Sequence, residues 1–270
     1  MSSTVDRGGV NYVDIEHGMF HNNIYLIDNA YVREFMSETL GMYWFILTSL
    51  GNIAILVSYP ESNMTWLGVS ISWGLNLMIG INIASLNSNA HLNPCVSLSM
   101  YLFKRAITFK QLILYTLAQL LGAFCAAATV YGIYYEKFIT LKDEKSISSI
   151  FVTYENSSIS HLTSFFTEFT GTALLVGGIY IILHNKNTKD HASIYIGMLL
   201  SSLVLSIGYQ SAFAFNPARD LGPRIFMACL GYDTFLYANN YWWVPIVADY
   251  CGAIFGSLVY FFLVQQQTYD

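Results

Sequence analysis

Charged residues are scarce in this sequence. Asp, Glu, Lys and Arg make up 11% of its 270 residues, hydrophobic residues make up 54%, and the mean hydropathy is +0.46. A chain this apolar is not an ordinary soluble domain, and its composition is typical of a polytopic membrane protein. The net charge of -5 argues against a nucleic-acid partner, because nucleic-acid-binding surfaces are basic.

Cysteines are few, and no two of them have the spacing of a metal site. Most of the four lie in apolar segments, where cysteine packs as a small hydrophobic residue: Cys95, Cys125, Cys229 and Cys251. No Ser/His/Asp, Cys/His or metal-ligand constellation has credible spacing, so we expect no enzyme activity, no cofactor and no metal. The first thirty residues are polar and lack the apolar core of a signal peptide, so insertion is expected to rely on the first membrane helix.

Six apolar segments are long enough to cross a bilayer, which takes roughly 20 residues. They cover residues 35–59, 66–84, 112–135, 164–183, 192–212 and 241–264. An even number of spans places both termini on one side, and seven basic residues against five favour the cytoplasm for that side. The sequons at Asn63 and Asn156 fall in loops that this topology places outside, so both are candidate glycosylation sites.

Two shorter apolar stretches do not fit the six-span count. They are "HLNPCVSLSMYLF", residues 91–103, and "FNPARDLGPRIFMACL", residues 215–230. Each places Asn-Pro before about ten residues able to be helical, and Asn is a favoured N-cap while Pro is favoured at the first helical position. Ten residues rise roughly 15 Å, half of a hydrocarbon core of about 30 Å. Two such half-helices meeting end to end would therefore cross it together.

The two stretches occupy matching places in the chain. Each half opens with a glutamate-bearing span, Glu38 in "FMSETLGMYWF" and Glu168 in "FFTEFTGTALL". Three spans and a half-helix, repeated, place the second copy inverted across the membrane, and paired interrupted segments indicate a substrate path at the midplane. We therefore expect an all-α membrane protein with six transmembrane helices and two re-entrant half-helices in an inverted 3+3 repeat. Its expected divisions are a cytoplasmic tail at 1–32, a channel domain at 33–265 with repeats at about 33–135 and 162–265, and a short cytoplasmic C-terminus at 266–270.

The motifs "SNAHLNPCVSLSMYLF" and "FNPARDLGPR", with "AQLLGAF" on the third span, resemble those of the major intrinsic proteins, the aquaporins and glycerol facilitators. The resemblance covers roughly residues 33–265. It implies a passive channel for water, glycerol and similar small neutral solutes that excludes ions and protons, assembled as a homotetramer in the lipid bilayer, and we expect the plasma membrane. Asp220 directly after Arg219, with Arg224 four residues later, is similar to the glycerol-conducting branch.

The resemblance assigns the pore midplane to the two Asn-Pro motifs: Asn93, Pro94, Cys95, Asn216, Pro217 and Ala218. Two facing half-helix N-termini each present about half a positive charge, which opposes cations, including hydronium. Asn93 and Asn216 are expected to cap their own helices while an amide N–H of each donates into the channel. The carbonyls of residues 87–92 and 208–214 are expected to form a row of acceptors. Cys95 stands where the family usually has Ala.

Counting from the two asparagines, as the resemblance implies, gives a selectivity filter of Trp73, Val204, Phe213 and Arg219. Two aromatic walls suit the carbon backbone of a polyol, while Arg219 is a fixed cation that holds a hydroxyl or water and repels cations. Val204 departs from the resemblance, because glycerol facilitators have Gly there. A water-selective channel with the polyol path narrowed by Val204 is therefore an alternative, and Val204→Gly would then raise glycerol flux.

Five further residues are expected to support the site: Glu38, Glu168, His91, Asp220 and Arg224. Asp249 lies within the sixth span where the family usually has Gly-Pro, either as a functional carboxylate or as a neutral, hydrogen-bonded group between helices. Two other classes stay open, a proton-coupled transporter that relays protons through these buried acids and a non-conducting structural membrane protein of the same fold.

Overall fold

The computed structural model describes residues 27–141 and 143–265. These ranges contain helices and no strand, and the helices are α1 Ala30–Ser58, α2 Trp66–Ala84, α3 Pro94–Ser99, α4 Phe109–Ile133, α5 Tyr135–Leu141, α6 Glu144–Phe151, α7 His161–His184, α8 Ala192–Ile207, α9 Pro217–Cys229, α10 Tyr237–Asn240 and α11 Trp243–Leu263. A π-helix, Met100–Lys104, continues α3, and short 3-10 helices occupy Pro60–Ser62 and Lys189–His191. The expected C-terminal segment 266–270, and residues 1–26 of the expected tail, lie outside the described residues.

The six expected spans are confirmed as α1, α2, α4, α7, α8 and α11, which are long and apolar enough to cross a membrane. The first begins earlier than its apolar run, at Ala30, because Asn29 caps it by accepting the Tyr31 N–H at 3.0 Å. The fifth ends at Ile207, although its apolar run continues to residue 212. Gly208 is the C-cap of that helix, and the chain beyond it forms a turn.

The spanning helices pack as two matching sets. Helix α1 packs against α2 and α4, α7 packs against α8 and α11, and α2 meets α8 between the sets. Both sets use a glycine for close approach, since a Cβ on Gly122 would lie 2.4 Å from the Thr39 carbonyl oxygen and one on Gly252 would lie 2.3 Å from that of Phe169. Small residues at such crossings let membrane helices gain van der Waals contact, which drives their association in lipid.

The two half-helices α3 and α9 begin at Pro94 and Pro217, each with the expected asparagine as its N-cap. Helix α9 has 13 residues, while α3 has 6 before its π-helical continuation. Each half-helix packs against the last spanning helix of the opposite set, α3 against α11 and α9 against α4. The two sets are therefore interlocked, and the N-termini of the half-helices meet between them.

Candidate functional site

The two Asn-Pro motifs are joined by reciprocal hydrogen bonds at the centre of the molecule. Asn93 Nδ2 donates to the Phe215 carbonyl at 2.8 Å, and Asn216 Nδ2 donates to the Leu92 carbonyl at 2.7 Å. A primary amide has two N–H groups, so each asparagine keeps a second one for another acceptor. Both asparagines line the central cavity, and the remaining N–H groups are the donors that a solute meets there.

The same asparagines cap the half-helices. Asn93 Oδ1 accepts the Cys95 N–H at 2.9 Å, and Asn216 Oδ1 accepts the N–H groups of Ala218 at 3.1 Å and Arg219 at 3.3 Å. This confirms the capping expected from the sequence. Because the oxygen is used by the helix, each side chain is fixed with its amide nitrogen toward the junction.

A buried glutamate holds the non-helical approach to each asparagine. Glu38 accepts the N–H groups of residues 91 and 92 at 2.8 and 2.9 Å, and Glu168 accepts those of residues 214 and 215 at 2.9 and 2.8 Å. Both carboxyl groups are 0% exposed. Hydrogen bonds to charged acceptors are stronger than neutral ones, so the two acids fix the loops at the places where they meet.

The backbone of both approaches repeats one unusual conformation. The third and the first residues before each asparagine have positive φ: Ala90 at 51°, Leu92 at 48°, Phe213 at 45° and Phe215 at 46°. Left-handed residues other than glycine cost on the order of 1–3 kcal/mol each and cluster at functional sites. Ala212, directly before Phe213, is also left-handed at φ 59°. The glutamates bind the N–H groups of the two residues directly before each asparagine. The row of carbonyl acceptors along these segments stays a prediction.

A cavity of about 380 Å³ extends from the inner ends of α2 and α7 to the constriction at Trp73 and Phe213. One wall is formed by residues 89–93 and 213–216 of the two non-helical approaches, and it includes the polar side chains of Asn93 and Asn216. The other walls are apolar, with side chains that include Phe45, Leu77, Ile81, Leu175, Ile196 and Leu200. A path with one hydrogen-bonding wall and apolar remaining walls suits a small neutral solute that carries hydroxyl groups on a carbon backbone.

The structure brings three of the four expected filter residues together. The Arg219 guanidinium carbon lies 4.6 Å from the Trp73 ring centroid and 5.3 Å from that of Phe213. The two rings meet edge to face, with centroids 4.8 Å apart. Arg219 Nε and Nη1 and Trp73 Nε1 are buried and have no hydrogen-bond partner within the described parts of the chain. Unsatisfied buried donors cost about 1–3 kcal/mol each, so their position at a constriction indicates that they serve a passing acceptor.

The fourth expected filter residue, Val204, is fully buried on α8. It continues the stripe of Ile196 and Leu200, which line the cavity. Gly208 lies one helical turn later, and a Cβ added there would come within 2.9 Å of Phe213 Cβ and 3.0 Å of Val204 Cα. The end of α8 is therefore packed closely against Phe213, and the place of Val204 in the filter stays a prediction.

Gly208 is a residue that the sequence analysis did not single out. A signal for it was present, because a glycine that follows a long apolar helical run is a common helix terminus.

Asp220 and Arg224 form a buried ion pair beside the filter. Arg224 Nε donates to Asp220 Oδ2 at 2.8 Å, and Arg224 Nη2 donates to Asp220 Oδ1 at 2.9 Å. Thr153 adds its N–H and hydroxyl to Asp220 Oδ1 at 2.7 and 2.8 Å, and Arg224 also donates to the carbonyls of Thr153 and Thr234. Burial raises the pKa of the neighbouring Tyr154 hydroxyl, so this ring stays neutral against the Arg224 guanidinium. Arg224 is therefore fully engaged, whereas Arg219 keeps donors for the pore.

The remaining predicted residues occupy separate places. His91 lines the cavity, with its Nδ1 3.1 Å from Ser97 Oγ. Cys95 is 0% exposed beneath Asn93. Of the two sequons, Asn63 is exposed on a left-handed turn at φ 56°, whereas Asn156 is half-buried with its N–H bound to the Gln210 carbonyl at 2.9 Å.

Comparison with known proteins adds an independent line of evidence. The family model described as "Major intrinsic protein" matches residues 26–260. Human Aquaporin-9 is 32% identical over 262 residues, covering 93% of this chain and 88% of its own. Aquaglyceroporin-3 of Trypanosoma brucei brucei is 32% identical, covering 86% of this chain and 79% of its own. The X-ray structure of the aquaglyceroporin from Plasmodium falciparum superposes with a TM-score of 0.80 at 32% identity, covering 88% of this chain and 98% of that one.

Proposed function

The chain belongs to the major intrinsic protein family, and on that basis we propose that it is a passive membrane channel for water and small uncharged solutes such as glycerol. The observation that carries this function is the constriction, where two aromatic rings face the unpaired donors of Arg219. A polyol presents hydroxyl oxygens on one edge and C–H groups on the others, and this arrangement matches both kinds of surface.

Exclusion of ions follows from charge and geometry. Arg219 is a fixed cation at the constriction, and the N-termini of α3 and α9 add positive potential at the midplane. Asn93 and Asn216 hold a passing water by its oxygen, which interrupts a chain of water molecules able to carry protons. We propose that Asn93, Pro94, Cys95, Asn216, Pro217 and Ala218 form the midplane, with Trp73, Val204, Phe213 and Arg219 as the filter.

Gly208 supports the polyol-conducting alternative, because a residue without a side chain there leaves room for Phe213. Val204 is the residue that would narrow the path in a water-selective channel, and the glycerol measurement below separates the two alternatives. The buried acids Glu38 and Glu168 hold backbone N–H groups, which makes them structural braces and weighs against a proton-coupled transporter.

Several features complete the proposal. The protein is an integral membrane protein with six spans, and we propose a homotetramer in the plasma membrane with both termini cytoplasmic. The repeats at about 33–135 and 162–265, supported by the matching helix contacts, form one channel domain. We propose no enzymatic activity, and glycosylation at Asn63 in preference to Asn156.

The test is glycerol entry into vesicles that contain the purified protein. Entry should be faster than in empty vesicles and should not change when a pH gradient is imposed or dissipated by a protonophore. Glycerol accumulation that follows the pH gradient would support coupled transport instead. Entry equal to that of empty vesicles would support the structural, non-conducting alternative.

A further inference from the structure

Two six-residue segments on the interlocking helices α4 and α11 resemble each other. They are "AQLLGA", residues 118–123, and "ADYCGA", residues 248–253. The glycine of each, Gly122 or Gly252, packs on the carbonyl that directly follows the buried glutamate of its own set. The two segments are therefore equivalent in space as well as in sequence. This equivalence pairs Gln119 with Asp249.

Gln119 has a clear task in the first set. Its Nε2 donates to Glu38 Oε2 at 2.8 Å and contacts Ser97 Oγ at 3.2 Å, and the side chain is 0% exposed. The same carboxyl group holds residues 91 and 92. Gln119 thus holds Glu38 in place through a side-chain hydrogen bond. Glu38 in turn holds the loop at residues 91 and 92.

Asp249 occupies the equivalent position but lacks an amide donor. It is 0% exposed, and its Oδ1 accepts the Thr172 hydroxyl at 2.9 Å. Its carboxyl group neighbours that of Glu168, and Oδ2 makes no other hydrogen bond within the described residues. Two carboxyl groups held together away from water do not both ionise, since like charges and desolvation act in the same direction.

The charges of the neighbouring side chains are balanced when Glu168 and Asp249 together carry one proton. Arg219 and Asp220 on α9 interact electrostatically with this pair, and Arg224 binds Asp220; all three are at most 4% exposed. The hydroxyl of Tyr241 and the thiol of Cys95 also face it. With one proton shared between Glu168 and Asp249, two buried cations face two buried anions, and no net charge remains buried there.

We propose that Asp249 is a positioning residue for the second re-entrant loop. It carries a proton and donates it in a hydrogen bond to Glu168, as the Gln119 amide does to Glu38. Glu168 is then a fixed acceptor for the N–H groups of residues 214 and 215, which lie between the filter residue Phe213 and the midplane residue Asn216. The inference rests on the proposed channel function, because its consequence is the geometry of that pore.

The experiment compares Asp249→Asn, which keeps a donor without an acid, with Asp249→Ala, which removes the donor. In vesicles, we expect Asp249→Asn to keep glycerol and water permeability within about twofold of the native protein, and Asp249→Ala to lose roughly tenfold, the effect of about 1.4 kcal/mol on a barrier. Equal loss in both variants, or no loss in either, overturns the proposal. A native protein without glycerol or water permeability refutes the proposed function instead, and leaves the next measurement valid.

Infrared difference spectroscopy tests the proton directly and does not depend on conduction. The native protein at neutral pH is expected to show the carbonyl band of a buried protonated carboxylic acid, and Asp249→Asn is expected to lack it. Gln119→Glu builds a similar acid pair around Glu38 and should add a second band of this kind. Absence of the band in the native protein, or its persistence in Asp249→Asn, overturns the proposal.

Discussion

Replacing Gly208 by alanine tests whether the packing of α8 against Phe213 sets the width of the filter. The new Cβ would lie 2.9 Å from Phe213 Cβ, closer than real Cβ atoms approach their neighbours. The Phe213 backbone has little freedom to retreat, because Glu168 binds the next two N–H groups. The ring is therefore expected to move toward Trp73 and Arg219, whose separations from it are 4.8 and 5.3 Å.

The size of the effect follows from the cost of overpacking, which is about 1–3 kcal/mol for an added carbon in a tight site. If that free energy is added to the barrier for glycerol passage, the glycerol permeability falls roughly fivefold to hundredfold. Water is smaller and should be affected less, so the ratio of glycerol to water permeability is the informative quantity. Stopped-flow light scattering on vesicles gives both values from one preparation.

Gly51→Ala is the matched control, because a Cβ on Gly51 would meet nothing within 4 Å. It should leave the permeability ratio unchanged. Val204→Gly removes a side chain from the proposed filter and should raise the ratio, while a glycine inside α8 costs about 1 kcal/mol of stability. An unchanged ratio in Gly208→Ala would refute the reasoning about Phe213, and an unchanged ratio in Val204→Gly would remove Val204 from the filter.

Three further changes test other parts of the site. Gly171→Ala would place a Cβ 2.1 Å from Phe215 Cε1, so we expect water and glycerol permeability to fall together and thermal stability in detergent to drop by about 1–3 kcal/mol, unlike the control variant above. Asp220→Ala leaves Arg224 buried without its partner, so we expect about 3–5 kcal/mol of destabilisation in the same unfolding assay; a change below 1 kcal/mol would contradict the assigned role. Arg219→Ala removes the fixed cation, so we expect a cation leak detectable with an ion-sensitive dye inside vesicles, and an unchanged leak would show that the half-helix dipoles are sufficient.

Much of this site was predictable because its signals are local. Asn-Pro before a short apolar stretch specifies a capped half-helix whatever surrounds it, and both caps are present. Phe213 and Arg219 were located correctly beside Trp73 because each lies three residues from Asn216 along the chain. A separation of only three residues in sequence is not changed by an insertion or deletion elsewhere in the chain.

The remaining features depend on contacts between distant parts of the chain. The bond from Asn93 to the Phe215 carbonyl joins residues 122 positions apart, and no local pattern specifies it. The relation of Asp249 to Glu168 depends on the packing of α11 on α7, which matches the packing of α4 on α1.

The central claim is that the constriction formed by Trp73, Phe213 and Arg219 is an open path for polyols. The most direct measurement is the response of protein-containing vesicles to an inward glycerol gradient, followed by stopped-flow light scattering. We predict rapid shrinkage followed by rapid reswelling as glycerol enters through the channel. Rapid shrinkage followed by reswelling no faster than in empty vesicles would mean that water passes and glycerol does not, and would contradict the claim.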